Sequence, residues 1–136
     1  MDRKIKSMVG ILLITHGSLG RSLIDCAKHV IGDSFKNVAA IGIDGNGSME
    51  SMSNRAIKAI SKVDDGSGVL VLTDMYGGSP SNITKKLLQT NNIYGISGVN
   101  LPMLIRVLTY REKDLKTLVK KALSGGSEGV MQIPLK

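Results

Sequence analysis

The residues able to do chemistry stand directly after short apolar runs. Val9-Gly10-Ile11-Leu12-Leu13-Ile14 is followed by Thr15-His16-Gly17-Ser18. Val38 to Ile43 is followed by Asp44-Gly45-Asn46-Gly47, and Val69-Leu70-Val71-Leu72 by Thr73, Asp74 and then Met75-Tyr76-Gly77-Gly78-Ser79. A carboxylate that accepts from one imidazole nitrogen fixes the tautomer and leaves the other nitrogen as a nucleophile. His16 and Asp74 form such a pair if their strands are neighbours. Ser79-Pro80-Ser81-Asn82 reads as a helix start, whose unpaired N–H groups and dipole attract phosphate. Gly77 and Gly78 would let backbone approach an anion closely, and Gly17-Ser18 is a second contact of the same kind. Each has a plainer reading: His16 a satisfied histidine at a sheet edge, Asp74 a turn or helix cap, Ser79 an ordinary cap with Pro80 at the first helical position.

Other chemistries find no motif. Gly45-Asn46-Gly47 lacks the further glycine of a dinucleotide fingerprint, and no G-x-x-x-x-G-K-[ST] occurs. No acidic pair ends the first strand, which disfavours an aspartyl-phosphate receiver. Ser18 and Ser79 sit in no G-x-S-x-G elbow. Two histidines and one cysteine at scattered positions do not make a zinc site, so no metal is expected. His29 falls inside a helix and reads as structural or solvated; Cys26 reads as a small core residue.

The elements that must place these residues alternate. Residues 19–31 carry Leu19, Leu23, Ala27, Val30 and Ile31 at helical spacing, with Gly32 as the stop. Ser48 to Lys62 reads as a second helix, with Met49 and Met52 toward the sheet. Pro80 to Thr90 reads as a third, capped by Ser79; Tyr94 to Val99 as a weaker strand; Pro102 to Tyr110 and Asp114 to Leu123 as two more helices. Gly129 to Ile133 reads as a short edge strand before Pro134. Ser124-Gly125-Gly126-Ser127 looks like a flexible joint that would let this strand pass to a second copy. The alternation predicts an α/β fold: one doubly wound domain with a mostly parallel sheet in the order 2-1-3-4. In such sheets ligands collect beyond the carboxyl ends of the strands, where His16, Asp44, Asp74 and Asn100 fall.

Composition agrees with a single packed domain. The chain has 136 residues, against roughly 150 per domain. Leu, Ile, Val and Phe number 40, about 29%, well above a disordered chain. One cysteine fits a reducing compartment. No apolar run approaches the ~18 residues of a membrane span, and no signal peptide is read. The net charge of +7 is uneven: +2 over residues 1–6, +1 over 7–102 and +4 over 103–136. With no Trp, one Phe and three Tyr, the basic surplus lacks the aromatic interleaving of a nucleic-acid binder. A solvated basic helix face is the favoured reading.

Three segments in order resemble one family. Ile14-Thr15-His16-Gly17 is similar to the phosphorylation-site strand of the mannose/fructose/sorbose-class IIA proteins (EIIA) of the bacterial phosphoenolpyruvate-dependent sugar phosphotransferase system. Leu72 to Asn82, with an Asp before Gly-Gly-Ser-Pro, resembles that family's second signature, and Gly98-Val99-Asn100-Leu101-Pro102-Met103-Leu104 its third. The resemblance covers about residues 8–131, leaving residues 1–7 as an N-terminal extension to a phosphotransfer domain over 8–136. It implies that His16 accepts a phosphoryl group through Nε2 and that Asp74 orients it through Nδ1. Gly17, Ser18, Gly77, Gly78 and Ser79 would hold the phosphoryl oxygens. It further implies HPr as donor, an EIIB protein as acceptor, and no cofactor. It also implies a cytoplasmic location, membrane contact only through EIIC and EIID, and a homodimer that exchanges its C-terminal strand. Three alternatives go with it: a phosphotransfer subunit of dihydroxyacetone kinase, a stand-alone regulatory phosphotransfer module, and an anion-binding domain without phosphotransfer.

Overall fold

The computed structural model describes residues 7–88 and 92–135. Four strands, β1 (Gly10–His16), β2 (Val38–Ile43), β3 (Val69–Thr73) and β4 (Ile93–Ser97), form one parallel sheet in the order β2-β1-β3-β4. Ile14 lies beside Ile41 on one side and Thr73 on the other. The helices are α1 (Leu19–Ile31), α2 (Met49–Val63), α3 (Gly78–Leu87), α4 (Leu101–Thr109) and α5 (Leu115–Glu128). The expected order and class are those observed.

Strand alternation splits the interior in two. Ile11, Leu13, Leu70 and Leu72 pack with Ile24, Leu104, Val107 and Leu118 of α1, α4 and α5. Leu12, Ile14, Val69 and Val71 pack with Met52, Ala56, Ile83 and Leu87 of α2 and α3. Both central strands are therefore buried on both faces, which is why they read as unbroken apolar runs. The chain leaves β1 toward β2 and later returns to β3 on the other side. The crossovers, taken right-handed, then put α1 and α2 on opposite faces. The gap beyond the ends of β1 and β3 is the topological switch point.

Four expectations change. Ser124-Gly125-Gly126-Ser127 is no joint: α5 runs through it to Glu128, and both glycines are buried. A methyl at Gly125 would come within 2.7 Å of Arg106 Cβ, and one at Gly126 within 2.7 Å of Met103 Cε, so the pair lets α5 lie close against α4. The C-terminal edge strand is not formed within the chain. Residues 130–135 belong to no helix or sheet, with Val130, Met131, Ile133 and Leu135 between 67% and 93% exposed. Helix α3 begins at Gly78, two residues before Pro80, with Gly77 rather than Ser79 at its cap. Cys26 lies on the outer side of α1, exposed rather than in the core, because Ile24 and Ala27 take the inward positions. The basic residues of the N-terminal extension, over residues 1–6, lie outside the described residues.

Candidate active site

Asp74 follows β3 at the level where His16 ends β1, and the register of the two strands brings them together. One carboxylate oxygen of Asp74, Oδ2, accepts from the His16 amide at 3.0 Å and lies 2.9 Å from the ring Nδ1. The other, Oδ1, accepts from the Met75 amide at 3.1 Å. The carboxylate is thus held by the ends of two strands and in turn holds the ring. Partial burial pushes the Asp74 carboxyl up, but hydrogen bonds from the His16 ring, the His16 amide and Asp74's own amide together outweigh it. The group titrates below the ordinary carboxylate value and is ionised at neutral pH. With Nδ1 facing a carboxylate, the tautomer that carries its proton there leaves the Nε2 lone pair free.

The start of α3 lies beside the Nε2–Cε1 edge of the ring. A methyl built on Gly78 would sit 3.5 Å from Nε2 and 3.6 Å from Cε1. Gly77 and Gly78 have φ of 90° and 82°, left-handed values that suit glycine, and no side chain caps the first amides of α3. Ser79 stands in that first turn. On the other side Ser18 occupies the cap position of α1, yet its hydroxyl makes no capping bond. The Gly17 amide donates to the Ile43 carbonyl at 3.0 Å and is therefore engaged in the fold. Side-chain exposure of 50% for His16 and 12% for Asp74 describes an imidazole half open to solvent and a carboxylate shielded behind it.

Other candidates separate from this cluster. Asn100 caps α4, accepting from the Met103 amide at 2.9 Å and donating to the Gly126 carbonyl at 3.1 Å. Asp44 accepts from the Asn46 amide in its own turn. His29 is exposed near the far end of α1. Met75 and Tyr76, at 56% and 72% exposure, flank the site, with the Lys85 ammonium 4.8 Å from the Tyr76 ring centre. Spacing did not mark them; two large apolar side chains inside a polar loop are the available signal.

The family model for the PTS system fructose IIA component matches residues 10–123, a stretch that includes His16, Asp74 and the loop between β3 and α3. The chain belongs to this IIA family of the sugar phosphotransferase system. It is 32% identical over 131 residues to the mannose-specific EIIAB component of Escherichia coli K12, covering 94% of this chain and 40% of that protein. The chain thus spans less than half the length of that relative. The fructose-specific EIIA component of Bacillus subtilis is 26% identical over 118 residues, covering 83% of this chain and 80% of that protein. Among solved structures, an EIIA component from Streptococcus agalactiae superposes with a TM-score of 0.82 at 25% identity, covering 92% of this chain and 97% of that one. The mannose/sorbose-specific IIA subunit of Enterococcus faecalis, at 18% identity, shares the fold with a TM-score of 0.85 over 96% of this chain and 98% of that one.

Proposed function

We propose that this IIA protein carries a phosphoryl group on His16. The observation that carries the reading is the 2.9 Å contact between Nδ1 and Asp74 Oδ2, together with a ring whose Nε2–Cε1 edge lies beside the uncapped start of α3. The donor is phospho-HPr and the acceptor an EIIB protein. In the first step the Nε2 lone pair attacks phosphorus while the bond from phosphorus to the donor's histidine nitrogen breaks, its electron pair returning to the donor. The Nδ1 proton stays on His16, and the positive charge that develops on the ring is stabilised by Asp74. Gly78, Ser79 and Ser18 supply amides and hydroxyls to the phosphoryl oxygens. The second step is the same exchange in reverse, toward EIIB. Transfer between two histidines is close to isoenergetic, so the site's task is positioning and charge stabilisation. No cofactor or metal enters either step.

A homodimer completes the reading. The outer edge of β4 carries no strand among the described residues, and the C-terminal residues 130–135 leave four large apolar side chains exposed. An open edge and an unpaired apolar segment in one chain are complementary, and reciprocal addition of each segment to the other copy's β4 satisfies both. Removal of residues 130–136 then yields a monomer by analytical ultracentrifugation. Among the described residues no helix is long and apolar enough to cross a membrane, and membrane contact is assigned to the EIIC and EIID partners of a cytoplasmic carrier.

The deciding experiment is phosphorylation by phosphoenolpyruvate, enzyme I and HPr, read by intact mass. Wild type gains one phosphoryl group that is labile to acid and stable to alkali; folded His16→Ala gains none. Labelling retained in that variant overturns the assignment.

A further inference from the structure

The phosphoacceptor loop rests on two residues that the catalytic cluster does not include. Gly17 makes two close approaches to the end of β2. Its amide donates to the Ile43 carbonyl at 3.0 Å, and its own carbonyl oxygen lies over Gly42. A methyl on Gly42 would stand 2.2 Å from that oxygen and 3.1 Å from its carbon. Both contacts are backbone on backbone, so no side-chain rotation relieves them. Opening 2.2 Å to a tolerable 3.0 Å requires the loop to lift by about 0.8 Å. From the inner side, the buried Thr15 hydroxyl accepts from the Gly20 amide at 2.8 Å and donates to the His16 carbonyl at 3.2 Å. Thr15 therefore caps α1 in place of Ser18 and closes the turn around His16 and Gly17.

We propose that Gly42 and Thr15 are positioning residues for the phosphoacceptor histidine, Gly42 as the seat of the loop and Thr15 as its clasp. They act through the backbone on either side of His16. That backbone sets where the ring meets Asp74, because the same carboxylate oxygen takes both the His16 amide and Nδ1. A shift approaching 1 Å at a reacting group costs about 10²-fold in rate. The clasp also leaves the Ser18 hydroxyl without a capping duty, free for an anion. The inference rests on the reading of His16 as the acceptor, and its test includes a measurement independent of phosphate.

The fold supplies its own control. Gly10, at the opposite end of β1, has an equally tight backbone approach: a methyl there would meet the Val63 carbonyl oxygen at 2.4 Å. Six residues of strand, about 20 Å, separate it from His16. Gly42→Ala and Gly10→Ala are compared in two assays. One is the nitrogen-15 signals of the His16 ring, which report tautomer without any phosphate. The other is the rate of phosphorylation by phospho-HPr. Gly42→Ala is expected to lose the single-tautomer signature of His16 and to slow transfer about 10²-fold at saturating donor, with half-saturation unchanged. Gly10→Ala is expected to lower the melting temperature while both readouts stay at wild type. Thr15→Val should reproduce the tautomer change and Thr15→Ser reverse it; this pair decides the matter if Gly42→Ala does not fold. Wild-type ring signals in folded Gly42→Ala, or the same change in both glycine variants, overturns the proposal. A wild type that takes up no phosphate would sink the phosphoryl reading, while the ring signals would still decide the positioning.

Discussion

The two ends of the sheet meet opposite physical demands. At the amino end the backbone is closed off. The Arg111 guanidinium, 6% exposed, donates from Nε to the Val9 carbonyl at 3.1 Å and from Nη2 to the Asn37 carbonyl at 3.2 Å, tying the entries of β1 and β2 together. The Val9 amide returns a bond to the Arg111 carbonyl, Asp65 accepts from the Met8 amide, and Asp64 accepts from the amides of Gly66 and Gly68. At the carboxyl end α3 starts uncapped, Ser18 caps nothing, and His16, Met75 and Tyr76 are exposed. The difference follows from the alternation. Each crossover helix begins where a strand ends, so unpaired N–H groups and positive dipole ends collect at one edge. That edge suits an anion, and the other can be given over to holding the chain together.

The largest expected effect breaks the open end. Asp74→Asn keeps the shape and removes the charge that holds Nδ1 protonated. Phosphorylation of His16 should slow by about 10²-fold, the scale of losing one preorganised electrostatic partner, with little change in melting temperature. Rapid-quench measurement with phospho-HPr checks it; a rate within threefold of wild type would mean the backbone alone places the ring. The next effect breaks the closed end. Arg111→Met leaves the buried Val9 carbonyl and the part-buried Asn37 carbonyl without their guanidinium donor; a buried charged hydrogen bond contributes about 1.5–3 kcal/mol, and the second, partly open to water, contributes less. Stability in urea should fall by about 2–4 kcal/mol, while the His16 rate at low temperature stays at wild type. A variant that lost rate and kept stability would reverse the division of labour between the two ends.

Much of this division was readable beforehand. Short apolar runs marked the strands, and the polar residues after them marked the candidate site, because a doubly wound sheet places strand ends side by side. The pairing of His16 with Asp74 needed only the strand order. What escaped was whatever depended on contact between segments remote in the sequence. Gly42 looks like any glycine in a strand until Gly17 is seen above it, and Gly125-Gly126 looks like a hinge until Met103 and Arg106 are seen against it. Arg111, 74 positions from Asn37, carries no local signal at all. Ser79 was misplaced as a cap because a Ser-Pro pair imitates a helix start, whereas the glycines before it can already enter the first turn.

The Gly125-Gly126 pair gives the third prediction, one that separates the open end from the helices behind it. Gly126→Ala forces a methyl toward Met103 Cε, the far end of a flexible side chain, so part of the strain can relax. Overpacking of this kind costs about 1–3 kcal/mol. The loss should appear at the low end of that range in chemical unfolding, and His16 phosphorylation should be unaffected. A stabilising result would instead indicate that the helix gains more from losing a glycine than the contact costs.

The smallest effect compares one carboxylate from each end. Asp74 is held below its ordinary value of 3.8 by hydrogen bonds that outweigh the opposing effect of burial. Asp65 is lowered from the same value chiefly by the Ser67 hydroxyl and the Met8 amide. In both, the folded value lies below the unfolded one. Their stabilisation is therefore complete above 3.8 and is lost as pH falls through the depressed folded value. Between pH 5 and 8 neither contributes a slope, so any change in phosphorylation rate there does not arise from Asp74 losing its charge. Below pH 4, urea unfolding of wild type should weaken with falling pH, and Asp74→Asn and Asp65→Asn should each flatten that dependence. Asp65 is largely in water, so the charge–charge part of its environment, its interaction with Arg111, is the more easily screened, while neutral donors supply the rest. Added salt should therefore shrink the difference between wild type and Asp65→Asn more than that between wild type and Asp74→Asn. Equal salt sensitivity at the two positions would show that the shielding of Asp74 behind His16 has no electrostatic consequence, and the contrast between the two ends would then rest on hydrogen bonding alone.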